Sequence, residues 1–372
     1  MLILCKMLFN KKPIQKFFKL ISYSLFKIIY GEIKGKLNPN QEKNMKVENI
    51  IFEKEVSYKG YIIKNSRLYT DTIHDLAIIF KNSIVEGPSF QLRNNINKNC
   101  ESNIVFEKGT PKIKRNINGT VLSLLTGGGG NSNYWHWLFD VLPRLSIAKK
   151  ILDLKEIDYF LFPDVRENFQ KETLENLKIP LKKTLSSKIN RHIAASKIIV
   201  TDHPYNFLND PDKDSLNIPA WIISFLKEKF LIVQDNVKTN LPKKIFIDRS
   251  DSKSGHGSMR KILNEIELKN LLNKKGFSSV VLSNYHFNDQ VKLFNNAECI
   301  IGLHGAGFAN TVFCKKNTKV IELQSDTAGE IIKNISTTNG LDYDCMSIKP
   351  TIETNNQLGH IKVDLDILSR KI

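Results

Sequence analysis

The sequence lacks any run of about eighteen apolar residues, the length that a membrane-spanning helix needs. Near its start it also lacks the small-residue cleavage site that follows the apolar core of a secretory signal. We therefore expect a protein without a membrane span or a cleaved leader, located on the cytoplasmic side of the cell membrane.

Cysteine is scarce and is not spaced for a structural role. The cysteines show no C-x-x-C pair and are Cys5, Cys100, Cys299, Cys314 and Cys345. An odd number at wide spacing argues against a disulfide framework and against a zinc site. We predict reduced thiols, with Cys299 in a buried strand.

Acidic residues are outnumbered, since 38 Asp and Glu face 55 Lys and Arg and leave a formal charge of +17. Only nine of the basic residues are arginine, and the basic residues are scattered instead of forming one stripe. This pattern indicates a solvated lysine-rich surface, or attraction to an anionic membrane or a phosphorylated ligand. It does not indicate nucleic-acid binding.

The chain is large enough for two domains, because 372 residues with 41% hydrophobic content can bury two ordinary cores. Residues 1–46 are predicted to form a basic helix and a linker. Residues 47–238 are predicted to form an N-terminal domain, β-rich at first and then α/β. We expect a Rossmann-like domain at residues 239–350, a terminal helix at residues 351–372, and a hinge at residues 236–243.

The stretch from Ile14 to Tyr30 has the periodicity of an amphipathic helix. At 100° per residue its apolar side chains fall within an arc of about 120°, and they are Phe17, Ile28, Ile21, Ile14, Leu25, Phe18 and Ile29. Lys16, Lys19 and Lys27 lie on the far side. Such a helix either lies in a membrane interface, where its lysines meet anionic head groups, or covers the protein's own core or a partner helix.

Short β-like stretches open the N-terminal domain, separated by clusters of Asn, Gly and Pro. The predicted strands are residues 56–63, 76–80, 104–106 and 121–125. Strands at residues 159–162 and 197–200, and a helix at residues 219–232, continue the domain as α/β.

Strands and helices alternate in the second domain. The predicted strands are residues 244–247, 279–282, 299–301 and 319–323, and the predicted helices are residues 264–275 and 287–295. Alternating units of this length indicate a parallel sheet with helices on both faces. Ligands of such sheets lie beyond the carboxyl ends of the strands, which here carry Arg249, the turn at residues 302–307 and Glu322.

The stretch from Cys299 to Asn310 joins a short apolar run, a glycine-rich turn and a helix start at residues 306–313. Glycines let a backbone approach a phosphate, and the free N–H groups at a helix N-terminus receive it. We therefore predict an anion site at the backbone of Gly305, Ala306 and Gly307, with His304 as an additional donor.

A second glycine-rich segment, residues 127–130, precedes another helix start, for which Ser132 or Asn133 is the predicted N-cap. Pro143 is expected to kink that helix or to end its first segment. Both features place residues 134–142 on a helix that follows the glycine-rich segment.

His136, Asp140 and Arg144 follow one another at intervals of four residues, which places them on one face of this helix. A carboxylate one turn from a histidine orients the imidazole and raises its basicity. The pair His136–Asp140 is thus a candidate acid–base pair, whereas Trp135 and Trp137 fall elsewhere on the helix and can pack.

Two arginines flank a polar loop in the second domain. Arg249 follows a predicted strand and Arg260 precedes a predicted helix. Two guanidinium groups beside a helix N-terminus suit a diphosphate, whose charge grows as it leaves. Glu322, at a strand end, is a candidate acceptor for ribose hydroxyl groups.

Three motifs occur in order along the chain. The first is N-Y-W-H-W-L-F-D-V-L-P-R-L at residues 133–145, and the second is R-x₁₀-R-x₃-N-E, which begins at Arg249. The third runs from Asp289-Gln290 through Ala297-Glu298 to I-G-x-H-G-A-G-x-x-N, which ends at Asn310. With this ordered set, residues 120–325 resemble glycosyltransferase family 61.

The resemblance implies a GT-B fold, in which two Rossmann-like domains face a cleft, and inverting transfer of a sugar from a nucleotide-sugar donor. Bacterial relatives act in capsular and cell-surface polysaccharide synthesis, whereas eukaryotic ones glycosylate proteins or wall polymers. The absence of a span or cleavable signal favours the bacterial type, peripheral on the inner face of the cell membrane. Its expected partners are the donor, a glycan or lipid-linked saccharide acceptor, and the membrane surface.

An inverting transfer needs a base for the acceptor hydroxyl and compensation for the charge of the leaving diphosphate. We hypothesise that His136, held by Asp140, is the base and lies on the first domain; Asp140 as the base itself is the alternative. The residues predicted to hold the donor are Arg249, Arg260, His304, Gly305, Ala306, Gly307 and, on the ribose, Glu322.

Trp135, Arg144 and Asn310 are predicted to support the cleft. No metal or other cofactor is expected, because the predicted arrangement around the diphosphate needs none. The D-x-D triplets at residues 212–214, 342–344 and 364–366 are too short a pattern to indicate a metal site. Two other functions remain open: a non-catalytic glycan- or nucleotide-binding component of a polysaccharide assembly, and a nicotinamide-dependent oxidoreductase. Against the oxidoreductase, the sequence lacks the motif G-x-G-x-x-G after a first strand.

Overall fold

The computed structural model describes residues 11–53, 56–70, 75–91, 100–125, 132–205, 213–214, 216–231, 241–252, 260–351 and 359–372. Contacts divide the chain into two compact units. The first unit comprises residues 1–131, 144–164 and 183–202, and the second comprises residues 132–143, 165–182 and 203–372. The glycine segment 127–130 and most of the predicted hinge lie outside the described residues.

Strands of the first unit form a mixed sheet in the order β1-β5-β4-β3-β10-β7-β8-β9, with β2 on β3 and β6 on β4. They are β1 (Gly35–Leu37), β2 (Met45–Glu53), β3 (Val56–Tyr69), β4 (Asp75–Phe80), β5 (Ser83–Val85), β6 (Phe90–Gln91), β7 (Arg115–Ser123), β8 (Tyr159–Phe162), β9 (Thr184–Ser186) and β10 (His192–Thr201). Residues of β4 alternate between two apolar clusters, with Ile78 in one and Ile79 in the other. Both faces of the sheet therefore carry a core around this strand.

Strands of the second unit form a parallel sheet in the order β12-β11-β13-β14-β15, as the alternation of strands and helices predicted. They are β11 (Lys244–Asp248), β12 (Ser278–Val281), β13 (Cys299–Leu303), β14 (Lys319–Ser325) and β15 (Asp342–Ile348). β13 is central and buried at every residue. The mixed α/β class with a parallel sheet is confirmed.

The α-helices are α1 (Lys11–Tyr30), α2 (Val105–Lys108), α3 (Tyr134–His136), α4 (Pro143–Lys149), α5 (Asn168–Asn176), α6 (Ala220–Phe230), α7 (Glu265–Lys274), α8 (Phe287–Asn296), α9 (Ile331–Thr338) and α10 (Leu365–Lys371). A π turn at Trp137–Val141 joins α3 to α4, and a 3₁₀ helix occupies Ala306–Phe313. One-turn 3₁₀ helices occupy Pro39–Gln41, Cys100–Ser102, Leu154–Glu156, Leu181–Lys183 and Leu282–Asn284.

The strand predicted at residues 104–106 is wrong, because the chain forms the short helix α2 there. The Asn103 side chain accepts a hydrogen bond from the Val105 N–H at 3.2 Å and so starts a turn that three apolar residues do not reveal. The terminal helix is also shorter than predicted: it begins at Leu365, after Ile361 pairs with Ile262 in a parallel bridge.

Helix α1 exposes its apolar side chains. The exposed ones are Phe17, Phe18, Leu20, Ile21, Leu25, Ile28 and Ile29. Its last residue, Tyr30, is anchored in the first unit, because its hydroxyl accepts a hydrogen bond from the Lys114 N–H at 3.0 Å. Within the described residues, no helix is long and apolar enough to cross a membrane.

The division into units differs from the predicted boundary between residues 238 and 239. Residues 132–143, 165–182 and 203–231, all placed in the N-terminal domain by the sequence, group by contacts with the parallel sheet. The helix that carries His136 therefore belongs to the same unit as the turn at residues 304–307, and not to the first domain.

Candidate active site

The segment around His136 begins with the predicted cap. The Asn133 side chain accepts hydrogen bonds from the N–H groups of Trp135 at 3.0 Å and His136 at 3.4 Å. One turn later the Leu142 N–H donates to the Trp137 carbonyl at 3.1 Å, a bond of the i→i+5 type. Pro143 follows and brings no N–H, so the wide π turn occurs where the proline interrupts the α-helical pattern.

Asp140 lies at the centre of a polar cluster inside the second unit. Its Oδ2 accepts a hydrogen bond from His136 Nδ1 at 2.7 Å, and its Oδ1 accepts one from the Tyr205 hydroxyl at 2.5 Å. His203 Nε2 lies 3.8 Å from Asp140 Oδ2. Only 5% of the Asp140 side chain is exposed, against 36% for His136. The carboxylate is thus enclosed, while the imidazole reaches solvent.

These contacts set the protonation states of the cluster. Burial favours a raised pKa for Asp140, but the charges and hydrogen bonds of His136 and His203 outweigh it and hold the pKa well below its usual range. Burial lowers the pKa of His136, but the charge of Asp140 and its hydrogen bond together raise it by more, so the net shift is upward. Burial, followed by the charge of Asp140, raises the pKa of Tyr205 and keeps its proton on the phenol.

His203 and Tyr205 were missed in the sequence. Their signal was the polar run Thr201-Asp202-His203-Pro204-Tyr205 directly after β10, since strand ends of α/β sheets commonly carry site residues. Nothing in the local spacing ties them to Asp140, which lies 65 residues from Tyr205 in the chain.

Trp135 and Arg144 have structural contacts. Trp135 stacks on Phe139 with ring centroids 4.4 Å apart. Arg144 is buried, belongs to the first unit, and donates from Nη1 to the Thr201 carbonyl at 3.3 Å. The π turn at Trp137–Val141 interrupts the α-helical period between Asp140 and Arg144.

The turn after β13 contains a second buried polar cluster. His304 is 4% exposed and donates from Nδ1 to Glu322 Oε1, and the Tyr343 hydroxyl donates to Glu322 Oε2 at 2.6 Å. Burial, followed by the charge of Glu322, raises the pKa of Tyr343. Glu322 has no exposed surface and both of its oxygens are bound, so it holds the His304 ring from behind.

Arg249 crosses the backbone of the same turn. Its Nη1 donates to the His304 carbonyl at 2.7 Å and its Nη2 to Ser252 Oγ at 3.3 Å. A Cβ on Gly305 would lie 3.1 Å from Arg249 Nη1, so a larger residue here would require the guanidinium to shift by a few tenths of an ångström. Gly305 immediately precedes the 3₁₀ helix that begins at Ala306 and contains Gly307.

Arg260 is the unusual cation of this region. Its Nε and Nη1 atoms are buried and have no hydrogen-bond partner among the described residues. Burial lowers its pKa to about 10, with a further lowering by the charge of Arg249. Two guanidinium groups that repel each other are thus held beside a glycine turn, an arrangement that an anion would stabilise.

Asn310 links the two motif segments. Its Oδ1 accepts a hydrogen bond from the Tyr134 hydroxyl at 2.6 Å, and its Nδ2 donates to Gln290 Oε1 at 3.0 Å. Asn310 is completely buried. The start of the His136 helix is therefore fastened directly to the 3₁₀ helix that follows the glycine turn.

No group of three or more His, Cys, Asp or Glu side chains with metal-binding geometry occurs in the described ranges. Two of the D-x-D triplets have structural contacts instead. Asp344 pairs with Lys371, and Asp364 accepts hydrogen bonds from the N–H groups of Asp366 and Ile367 at the start of α10. The triplet at residues 212–214 lies partly outside the described residues.

Residues 134–321 match the family model described as Glycosyltransferase 61, which spans about half of the 372 residues. The matched range contains the Asp140 cluster, both arginines and the glycine turn. The chain has no match among the curated proteins.

Proposed function

The chain belongs to glycosyltransferase family 61, and from this premise we propose that it is an inverting enzyme that moves a sugar from a nucleotide-sugar donor to a glycan acceptor. The observation that carries the donor half of the proposal is the pair of buried nitrogen atoms of Arg260, Nε and Nη1, which have no hydrogen-bond partner among the described residues and feel the charge of Arg249. An unpaired buried cation is costly, and a diphosphate would supply the missing charge and hydrogen-bond acceptors.

In this proposal the diphosphate lies against the backbone of Gly305, Ala306 and Gly307, with Arg249 and Arg260 on its oxygens. His304 donates from Nε2, because Glu322 holds its Nδ1. The ribose contact predicted for Glu322 is not retained, since that side chain is enclosed and fully hydrogen-bonded. Glu322 and Tyr343 instead fix the ring that meets the donor.

His136 is the base of the proposed reaction. A carboxylate can only accept, so the bond to Asp140 places the proton of the neutral imidazole on Nδ1 and the lone pair on Nε2. The acceptor hydroxyl gives its proton to Nε2 while its oxygen bonds to the anomeric carbon. The bond from that carbon to the diphosphate breaks, and its electron pair leaves with the nucleoside diphosphate. Attack opposite the leaving group inverts the anomeric configuration.

Asp140 is disfavoured as the base because both of its oxygens already accept hydrogen bonds and its pKa is held far below that of an effective base at neutral pH. Its role is to orient His136 and to stabilise the imidazolium that forms.

The setting of the reaction belongs to the same proposal. The fold is of the GT-B type, the acceptor is a glycan or a lipid-linked saccharide of capsular or cell-surface polysaccharide synthesis, and the enzyme is bacterial and needs no metal. The exposed apolar side chains of α1 would rest on the inner face of the cell membrane.

A nucleotide panel tests the donor class. We expect UDP, GDP or CMP-type ligands to raise the melting temperature. At a hundredfold excess over Kd the bound ligand stabilises the folded protein by about 2.7 kcal/mol. The rise in melting temperature should persist in EDTA. Stabilisation by NAD alone would contradict the proposal in favour of an oxidoreductase. Binding of the nucleotide sugar without release of nucleoside diphosphate over a panel of acceptor glycans would favour a non-catalytic component.

A further inference from the structure

A cavity of about 480 Å³ lies entirely in the first unit, away from every residue assigned above. It opens on one face of the mixed sheet, across β4, β3, β10 and β7. Pairing places Ile79 beside Arg67, Arg67 beside Ala194 and Ala194 beside Asn116, so these four residues form one row across the sheet. Neighbouring side chains would normally fill such a row, but Ala194 is small and leaves a hollow.

Cations and carboxamides dominate the lining. The polar side chains that the argument uses are Arg67, Lys81, Lys114, Asn65, Asn116 and Asn118. No residue that lines the cavity, in the part of the chain that the structure describes, is Asp or Glu. Three positive charges without a carboxylate attract an anion, and three carboxamides supply both donors and acceptors for hydroxyl groups.

Arg67 is the buried member of the three cations. It donates from Nη1 to Thr110 Oγ1 at 3.1 Å and from Nη2 to the Tyr30 carbonyl at 3.0 Å, and His192 Nε2 lies 3.4 Å from Nη1. All of these partners are neutral, and among the described residues none of them is a carboxylate. The pKa of His192 is lowered to about 4 by burial, and the charges of Arg67 and Lys114 act in the same direction.

The backbone is also unusual at two residues of the lining. Asn65 and Lys81 have φ values of 49° and 53°, two of only four left-handed residues other than glycine in the described chain. Asn adopts this conformation readily, whereas Lys does so at a cost. Lys81 follows β4 in the tight turn to β5, where Gly, Asn or Asp is normally found. Lys81 thus lines the rim of the cavity from a strained turn, with its Nζ 5.2 Å from the centroid of the Phe80 ring.

We propose that this cavity binds the negatively charged group of a saccharide, a phosphate or a carboxylate, with the carboxamides on the neighbouring sugar hydroxyls. Lys81 and Lys114 contact the anion from the rim and Arg67 from the floor. Lys114 is held for this role, since its Nζ lies 5.4 Å from the centroid of the Tyr30 ring. We identify this saccharide with the acceptor of the transfer, and only that identification rests on the proposed function.

The test is binding of matched sugars by calorimetry: mannose 6-phosphate against mannose, and a sialylated trisaccharide against lactose. We expect each charged sugar to bind at least tenfold more tightly than its neutral partner. Lys81→Asn should weaken the charged sugars at least tenfold while leaving the melting temperature unchanged or higher, because Asn tolerates the left-handed turn. Lys114→Gln should weaken them similarly.

Lys178→Asn is the matched control. Lys178 is also an exposed left-handed lysine, with φ of 58°, but it does not line the cavity. The proposal would be overturned if Lys178→Asn weakened the binding of charged sugars as much as Lys81→Asn does. It would also be overturned if neither variant weakened that binding. Equal binding of charged and neutral sugars would overturn it as well.

Two further measurements distinguish this cavity from the proposed donor site and from a membrane-binding surface. Nucleoside-diphosphate stabilisation should persist in Lys81→Asn, so its presence or absence in the wild type tests the donor site independently of this cavity. Vesicles with and without anionic lipid distinguish a saccharide from a lipid surface. If Lys81→Asn weakens vesicle binding and leaves the charged sugars unaffected, the cavity serves the membrane and the proposal is wrong.

Discussion

At the residue scale, the reaction depends on which group of the Asp140 cluster takes the proton. His136→Ala should lower kcat by about 10²- to 10⁴-fold, the usual contribution of a positioned base, with little change in donor binding measured by calorimetry. Tyr205→Phe should have a smaller effect, because it removes one of several hydrogen bonds to Asp140. Full activity of His136→Ala would refute the assignment of the base.

The pH dependence supplies a second test of the same cluster. His136 acts as a base only when neutral, so kcat/KM should rise with pH through its pKa, which the charge of Asp140 raises above the ordinary value despite burial. Asp140→Asn removes that charge, and the rising limb should move to lower pH while the plateau falls. A limb that stays in place would show that Asp140 does not control the titrating group.

Arg260 separates function from stability. Arg260→Met removes two buried nitrogen atoms that have no hydrogen-bond partner in the described part of the chain. The nucleotide-free protein should therefore unfold at the same or a higher denaturant concentration, with a gain of up to about 1–3 kcal/mol in unfolding free energy. The nucleotide-induced rise in melting temperature should disappear. Arg166→Met, at an exposed arginine paired with Glu167, is the control and should retain that rise. Loss of stability in Arg260→Met with normal nucleotide binding would indicate a structural arginine.

His192 should make the fold sensitive to acid. Its pKa is lowered to about 4 by burial, against about 6.5 in the unfolded chain. The unfolded state therefore binds the extra proton first, and stability falls as pH drops from 6.5 towards 4. Urea unfolding at pH 7 and pH 4.5 should differ by about 2–3 kcal/mol more in the wild type than in His192→Gln. Equal differences would mean that His192 is not the acid-sensitive group.

Local patterns predicted only those site contacts that join residues close together in the chain. The spacing of His136 and Asp140 predicted their contact, because one helical turn brings residues i and i+4 together. Tyr205 and His203 complete the cluster through a long-range contact that no local period contains. Glu322 was predicted at a strand end, but β14 continues to Ser325 and places it in the middle of the strand. Its oxygen Oε2 accepts a hydrogen bond from Tyr343, which belongs to the next strand.

At the element scale, the repeating strands and helices of the second unit were predictable because each buries one face with a clear period. The details that shape the site were not. The π turn at residues 137–141 results from a proline in a helix, and the sequence shows the proline without showing which carbonyl takes the displaced bond. The helix predicted after the glycine turn is a 3₁₀ helix, a type that the sequence did not indicate.

Loss of the hydrogen bond between Tyr134 and Asn310 should lower the catalytic rate. Tyr134→Phe leaves the buried Asn310 Oδ1 without this donor, which should cost about 1–3 kcal/mol of unfolding free energy. Because the link fastens the start of the His136 helix, kcat should fall more than donor affinity. A variant that loses stability and keeps kcat would confine the contact to a structural role.

At the scale of the whole molecule, the division into units could not be inferred from the order of segments. Residues 132–143 and 165–182 belong by contacts to the second unit although first-unit residues separate them. Composition and local pattern describe contiguous blocks, so a chain that passes between units several times is assigned to the wrong block. The consequence is functional, since the proposed base and the proposed donor site belong to the same unit.

The net charge of +17 and the exposed apolar side chains of α1 predict binding to anionic vesicles. Ile28 and Phe17 are 82% and 62% exposed, so Ile28→Gln with Phe17→Gln should leave the unfolding free energy unchanged. Each side chain contributes about 1.5–3 kcal/mol when it is buried in an apolar phase, so the pair should reduce partitioning at least a hundredfold. Ile113→Gln, at another residue that is 82% exposed but lies outside α1, is the control.

Binding to vesicles should also weaken with salt, because salt screens the charges of Lys16 and Lys19. If the double variant binds vesicles as well as the control does, the apolar face of α1 meets another surface.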